Sequence, residues 1–141
     1  YVSSMKKHFS VPLVKYEDAY FTKGSFTEVK SVATPLGFTI VARPAHSIDI
    51  ANASSIESLF AMLERGRVDS IYLNSIVSAN YQKDNKIKLI RRSDMPTDRD
   101  YFYFSSPNKN AFIEKINAFI KNEEYEVEQL KIKFGLSSKT Q

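Results

Sequence analysis

The chain has 141 residues, 43% of them hydrophobic and 13% aromatic, enough for one packed domain and short of two comfortable ones. Its formal charge of +4 is dispersed, with Lys6-Lys7, Arg91-Arg92 and Lys131/Lys133 offset by acidic neighbours such as Glu123-Glu124. This argues against a nucleic-acid partner, which calls for a basic stripe among exposed aromatics. Cysteine is absent, which excludes disulfides and thiol chemistry, and no apolar run nears the length of a membrane span.

Residues 11–13 and 18–21 read as short extended pieces, closed by the turn-forming Lys23-Gly24-Ser25. Residues 27–33 are ambiguous. Pro35 and Gly37 then punctuate the chain before FTIVA at 38–42, a continuous apolar and β-branched run of the kind buried on both faces of a sheet. SIDIA at 47–51 reads as a second strand. Residues 55–65 predict a helix, with Ser54 and Glu57 as a capping box and Ile56, Leu59, Phe60 and Leu63 at helical spacing. Gly66 supplies its left-handed stop.

A strand at 68–73 follows, then a helix over 76–82 with Asn74 or Ser75 as its cap, and a short strand at 87–90. DYFYF at 100–104 is the most aromatic strand candidate, closed by Ser105-Ser106-Pro107-Asn108. Two helices end the chain. Residues 110–121 carry a stripe of Phe112, Ile113, Ile116, Phe119 and Ile120, and residues 123–134 carry Tyr125, Leu130 and Phe134 before Gly135. Strands alternating with helices predict an α/β domain.

No cofactor or metal is implied. The two histidines, His8 and His46, lie far apart and read as surface or loop residues, and the chain has no GxGxxG, GxxxxGK[ST] or GxSxG motif. One junction invites a site. The strand at 68–73 stops on the polar pair Asn74-Ser75 and feeds a helix. Open α/β sheets bind ligands outside the carboxyl ends of their strands, where helix N–H groups are also free. Asn74 and Ser75 are therefore candidate ligand contacts, with a plain helix cap as the competing role.

The order SIESLFAMLERG, RVDSIYLNS, short helix, YFYFSSPN, AFIEKINAFIKN resembles the C-terminal part of the type 2 periplasmic solute-binding proteins, in the group that includes amino-acid receptors of ABC transporters. The likeness is strong from residue 54 to 122 and weaker from 11 to 42. It implies a periplasmic binding protein-like II fold. Residues 1–22 would be a remnant of the first lobe and the outgoing hinge strand, 23–100 the second lobe, and 101–141 the returning hinge strand and C-terminal helices of the first lobe. Residues 18–21 and 101–104 would run side by side as buried crossings.

The implied function is non-catalytic binding of a small polar solute in a cleft between two lobes, in the periplasm, read by a membrane permease or receptor. No nucleic acid and no membrane insertion enter this picture. A ligand-sensing domain of a signalling protein and a cleft enzyme, such as a dehydratase or cell-wall lyase relative, stay open as alternatives. Amino-acid-binding members place an acidic side chain at the end of the strand where this chain has Asn74, which puts an ordinary α-amino acid in question. Asp69 is assigned a structural role near Gly66. The loop after the first strand would add Arg43 and Ser47, suited to an anionic group.

Two expectations concern continuity. Parallel strands at 38–42 and 47–51 leave four residues for a crossover that takes at least ~10–12. A break near residues 43–47 with a missing helix is therefore expected, unless a true antiparallel hairpin lies there; Cα atoms ~3.8 Å apart throughout would refute a break. The first Met is Met5, and most of the first lobe is absent, so the chain reads as a processed or truncated piece. At ~25 cal/mol per Å², the stripe Phe112–Ile120 left in water would cost several kcal/mol.

Overall fold

Alternate residues of the strands face opposite ways, and residues 17–99 bury both sets. The computed structural model describes residues 8–25, 28–107 and 110–136. The chain divides into two compact units, Tyr1–Tyr16 with Asp100–Gln141, and Glu17–Arg99.

The larger unit is built on one mixed sheet. Its strands are β2 (Val14–Thr22), β3 (Ser31–Pro35), β4 (Asp49–Ala53), β5 (Ser70–Asn74) and β6 (Ile90–Arg91), in the order β4-β3-β5-β2-β6; β1 is the short strand His8–Phe9 of the other unit. β3 runs parallel to β4 and β5, whereas β2 is antiparallel to β5 and β6. On one face Ala19, Phe21, Ala33, Ile71 and Leu73 join Leu59, Phe60 and Leu63 of helix α1 (Ile56–Glu64) and Tyr81 of α2 (Ser75–Asn85). On the other, Tyr20, Val32 and Tyr72 join Val29, Ile40 and Met95. Full burial of each large side chain contributes ~1.5–3 kcal/mol, so these two layers hold most of the unit's stability.

Several boundaries differ from the sequence reading. The first parallel strand is SVATP, β3, and not residues 38–42. Phe38 follows the Pro35 turn, its N–H bonding the Pro35 carbonyl at 3.0 Å, with Gly37 at φ +81°. Val41 is 66% exposed. The slot between β4 and β5 takes small residues, Ala33 and Thr34, which the stronger β-propensity of FTIVA cannot outweigh. The crossover from β3 to β4 is therefore residues 36–48, thirteen residues, and it is irregular. That satisfies the length rule, so the expected break near 43–47 has no remaining basis, and neither does a hairpin: the strands are parallel.

Helix α1 begins one residue later than expected. Ser55 is the cap, and Ser58 replaces the long acidic partner: the Ser58 N–H donates to Ser55 Oγ at 3.0 Å, and the Ser55 N–H donates to Ser58 Oγ at 3.1 Å. At the other end Gly66 is left-handed, and the Arg67 N–H reaches the Met62 carbonyl at 2.9 Å, closing a Schellman motif as its glycine predicts. α2 is longer than expected and ends on Lys86, left-handed at φ 55°.

The smaller unit pairs β1 with β8 (Ser105–Ser106) and adds helices α3 (Asn110–Asn122) and α4 (Glu124–Lys133). The Leu13 N–H donates to the Phe102 carbonyl and the Ser10 N–H to that of Phe104, both at 2.9 Å. Strand β7 (Asp98–Phe102) pairs with β2, so the two strands expected to be neighbours are neighbours. The register is different, however: residues 102–104 lie beside 10–13 and not beside 18–21. Nor are these aromatics buried, since Tyr101, Phe102, Tyr103 and Phe104 are all exposed. Among the described residues, Ile113 is the one buried hydrophobic side chain of this unit, while Phe119 and Phe134 are 61% and 62% exposed. The apolar stripe has too little sheet within its own unit to cover it. Residues 1–7, Thr27 and Asn108 lie outside the described residues, and with them parts of the expected turns.

Asp69 ties the parallel strands together. Its Oδ2 accepts from the Lys30 and Ser31 N–H groups at 2.9 and 3.0 Å, and its own N–H donates to Ser31 Oγ at 3.0 Å. The role is structural, as expected, but it acts on the start of β3 and not on Gly66. Burial pushes its carboxyl up; the Lys30 and Ser31 amides, the Ser31 hydroxyl and the Lys30 charge outweigh that and hold it below 3.8. A depressed carboxyl stabilises the fold above its unfolded value, and that contribution is lost as pH falls through the folded one. We expect Asp69→Ala to cost about 1–3 kcal/mol in urea unfolding at neutral pH by orphaning two amides. The gap from the wild type should close below the carboxylate range; an equal gap at both pH values would contradict this account.

Candidate functional site

The carboxyl edge of β5 brings together residues from three segments. Antiparallel register sets Asp18 of β2 directly opposite Asn74. The Asn74 side chain works in two directions: Oδ1 accepts from the Ile76 N–H at 3.0 Å, capping α2, and Nδ2 donates to Asp18 Oδ1 at 3.3 Å. Beside it the Ser75 hydroxyl is buried without a hydrogen-bond partner among the described residues, and Tyr72 Oη is buried with only the Ala42 backbone near it. The Ser75 hydroxyl is a polar atom whose desolvation is uncompensated, which is the condition a ligand atom or water relieves.

The electrostatics of this edge are acidic. Asp18 is 8% exposed. Burial raises its carboxyl above the ordinary value, the Asn74 amide pulls it part of the way back, and the Asp98 carboxylate raises it again. Tyr72 is pushed up by burial and by the Asp18 charge, with the Ala42 backbone acting in the opposite direction. Tyr20, in ring contact with Tyr72 at 4.7 Å between centroids, donates its hydroxyl to the Ala42 carbonyl at 2.8 Å. Burial pushes its hydroxyl up to about 12, against the Arg43 charge.

Asn74 and Ser75 thus sit together, at the end of a central strand. Arg43 does not join them: it lines a separate cavity with His46 and Arg92 under the 36–48 crossover. Ser47 is exposed and lines neither place. Sequence reasoning missed Asp18, because only strand register shows that an acid fifty-six positions away faces Asn74. A carboxylate followed at once by the core residues Ala19, Tyr20 and Phe21 was the available signal. Among the described residues no group of three metal-ligating side chains comes together, and no helix is long and apolar enough to cross a membrane.

Removing the amide tests its two bonds at once. Asn74→Ala should lower stability by about 1 kcal/mol through the lost cap. It should also raise the Asp18 carboxyl further, because the Asn74 hydrogen bond is what lowers it. Carboxyl-detected NMR titration reads the second effect; an unmoved Asp18 would show that the contact is not formed in solution.

Neither a family profile nor a curated protein sequence matches the chain. Solved structures do. A mutant of ArgBP from T. maritima superposes with a TM-score of 0.70 at 16% identity, over 93% of this chain and 62% of that one. The substrate-binding protein of an amino acid ABC transporter gives 0.69 at 18% identity, over 91% of this chain and 63% of that one. An ancestral amino acid-binding protein, AncCDT-1, described as a precursor of cyclohexadienyl dehydratase, gives 0.66 at 15% identity, over 92% and 61%. The chain therefore spans a little over 60% of the length of these structures. At such identities the likeness is one of fold: this chain has the periplasmic binding protein-like II fold, over part of its extent.

Proposed function

We propose that this chain is the second lobe, with part of the first, of a non-catalytic solute-binding protein, and that Asp18, Asn74 and Ser75 hold a small polar solute. Asn74 alone cannot neutralise a cation, which from sequence left a positively charged solute in question. Asp18 answers that objection. A buried carboxylate hydrogen-bonded to the Asn74 amide, with Asp98 close enough to destabilise it further, is the observation that carries the reading. The solute accordingly bears an ammonium or similar cation. Its charge would compensate the carboxylate while its polar atoms engage the Ser75 hydroxyl. The amino acid-binding proteins of the same fold support this class of ligand, and the ABC substrate-binding protein among them supports periplasmic uptake through a membrane permease.

A second reading is favoured by the same carboxyl. An Asp with a raised pKa is equipped for proton transfer, and the fold also occurs in a dehydratase precursor. Calorimetry on the full-length protein with a panel of amino acids, followed by NMR of the recovered ligand, separates the two. Binding with the ligand returned intact supports the first reading; a consumed ligand sinks it.

The pH dependence has a definite sign. A raised Asp pKa means that the folded state holds its proton more tightly than the unfolded one, so the ionised group opposes folding as pH rises. Asp18→Asn should therefore be more stable than the wild type at neutral pH, with the difference shrinking on acidification. The same variant should lose cationic-solute affinity by tenfold or more, roughly 1.4 kcal/mol or above. Wild-type affinity should fall as pH drops through the raised Asp18 value. A variant that gains stability and keeps its affinity would remove Asp18 from the site.

A further inference from the structure

A polar cavity of about 600 Å³ lies within residues 17–99, and Asp18, Asn74 and Ser75 do not line it. Its wall contains two arginines and a histidine, Arg43, Arg92 and His46, with Asp94 and Glu28 as acidic members and Val29, Met95 and Pro96 among the apolar ones. Arg92 is 7% exposed. Its Nε and Nη2 fork onto the two Asp94 oxygens at 2.7 Å each, but Nη1 is buried with no partner among the described residues. A guanidinium is always charged and offers five donors, so a buried nitrogen with nothing to donate to marks a missing acceptor.

The lining carries two arginines and two carboxylates, so its formal charges cancel, but they are not paired one to one. Asp94 neutralises Arg92, and Glu28 faces Lys30 at 3.8 Å. Arg43 donates only through Nε, to the Ile40 carbonyl at 3.4 Å, and has no ion pair among the described residues. The His46 Nε2–H donates to the Val29 carbonyl at 2.7 Å, which orients the ring and leaves Nδ1 unused. An arginine without an acid partner, a buried second arginine and an oriented imidazole thus line one space. Arginine forks match planar or tetrahedral oxyanions.

We propose that this cavity binds a small organic oxyanion, a carboxylate or a phosphate ester, whose charged head engages Arg43 and Arg92 and whose remainder lies against Val29, Met95 and Pro96. The volume exceeds what a bare inorganic ion fills, so the organic part distinguishes the ligand. This site stands or falls independently of Asp18.

Titrations of the isotope-labelled protein with glycerol phosphate, propionate and, as a control, chloride test the proposal, read at the Arg43 side-chain, His46 and Met95 resonances. Saturable shifts with glycerol phosphate or with propionate are expected, and whichever binds more tightly names the head group. Because Arg43 is exposed, Arg43→Gln should fold normally and weaken binding roughly tenfold. Arg43→Lys, which keeps the charge without the fork, should fall between, and Asp18→Asn should leave this binding unchanged. Shifts that never saturate, that chloride reproduces, or that survive Arg43→Gln would overturn it.

Discussion

The antiparallel register between β2 and β5 is the constraint on which the larger unit depends. It pairs Asp18 with Asn74, Ala19 with Leu73, Tyr20 with Tyr72 and Phe21 with Ile71. A slip of one residue would send both tyrosines into the helix-covered layer and lift Phe21 and Ile71 out of it. Both layers would lose their packing at once, so the register is strongly determined by hydrophobic burial. The Ser70 hydroxyl, buried and bonded to the Phe21 carbonyl at 3.0 Å, and Thr34 Oγ1, on the Tyr72 carbonyl at 3.1 Å, add polar locks across the same three strands.

The Asp18–Asn74 contact is a by-product of that register. Once Tyr20 and Tyr72 are packed together in the second layer, Asp18 has no choice but to lie beside the last residue of β5. Its carboxylate is unfavourable for folding, with burial and Asp98 both raising its pKa. A single amide hydrogen bond offsets only part of that. A buried carboxyl of this kind, held by one amide, is what separates this edge from most capped strand–helix junctions. Asn74 does two things at once: it caps α2, the plainer of the roles read from sequence, and its amide holds Asp18.

The two units contrast in how they satisfy their apolar residues. Residues 17–99 bury theirs on both faces of a sheet. The unit built from β1, β8, α3 and α4 has a groove of about 430 Å³ lined by Leu13, Ile116, Phe119, Leu130 and Phe134, much of it open to water. Exposed patches of this sort on a monomeric surface are uncommon.

What the sequence by itself determined was local. The helices were legible because apolar spacing, capping serines and the terminal glycines Gly66 and Gly135 act within a few residues. So was the strand-to-helix junction at Asn74, and the order of elements was enough to indicate the fold. Choices among competing strands were not local. FTIVA has the stronger β-propensity, yet SVATP takes the central place because small residues fit between β4 and β5 and because Asp69, thirty-eight positions away, holds its first amides. The same holds for the side chains that come together from distant segments. Asp18 meets Asn74 through strand register, and Arg92 meets Arg43 and His46 through the path of an irregular crossover. Register and crossover path are set by long-range burial, which no window of neighbouring residues contains.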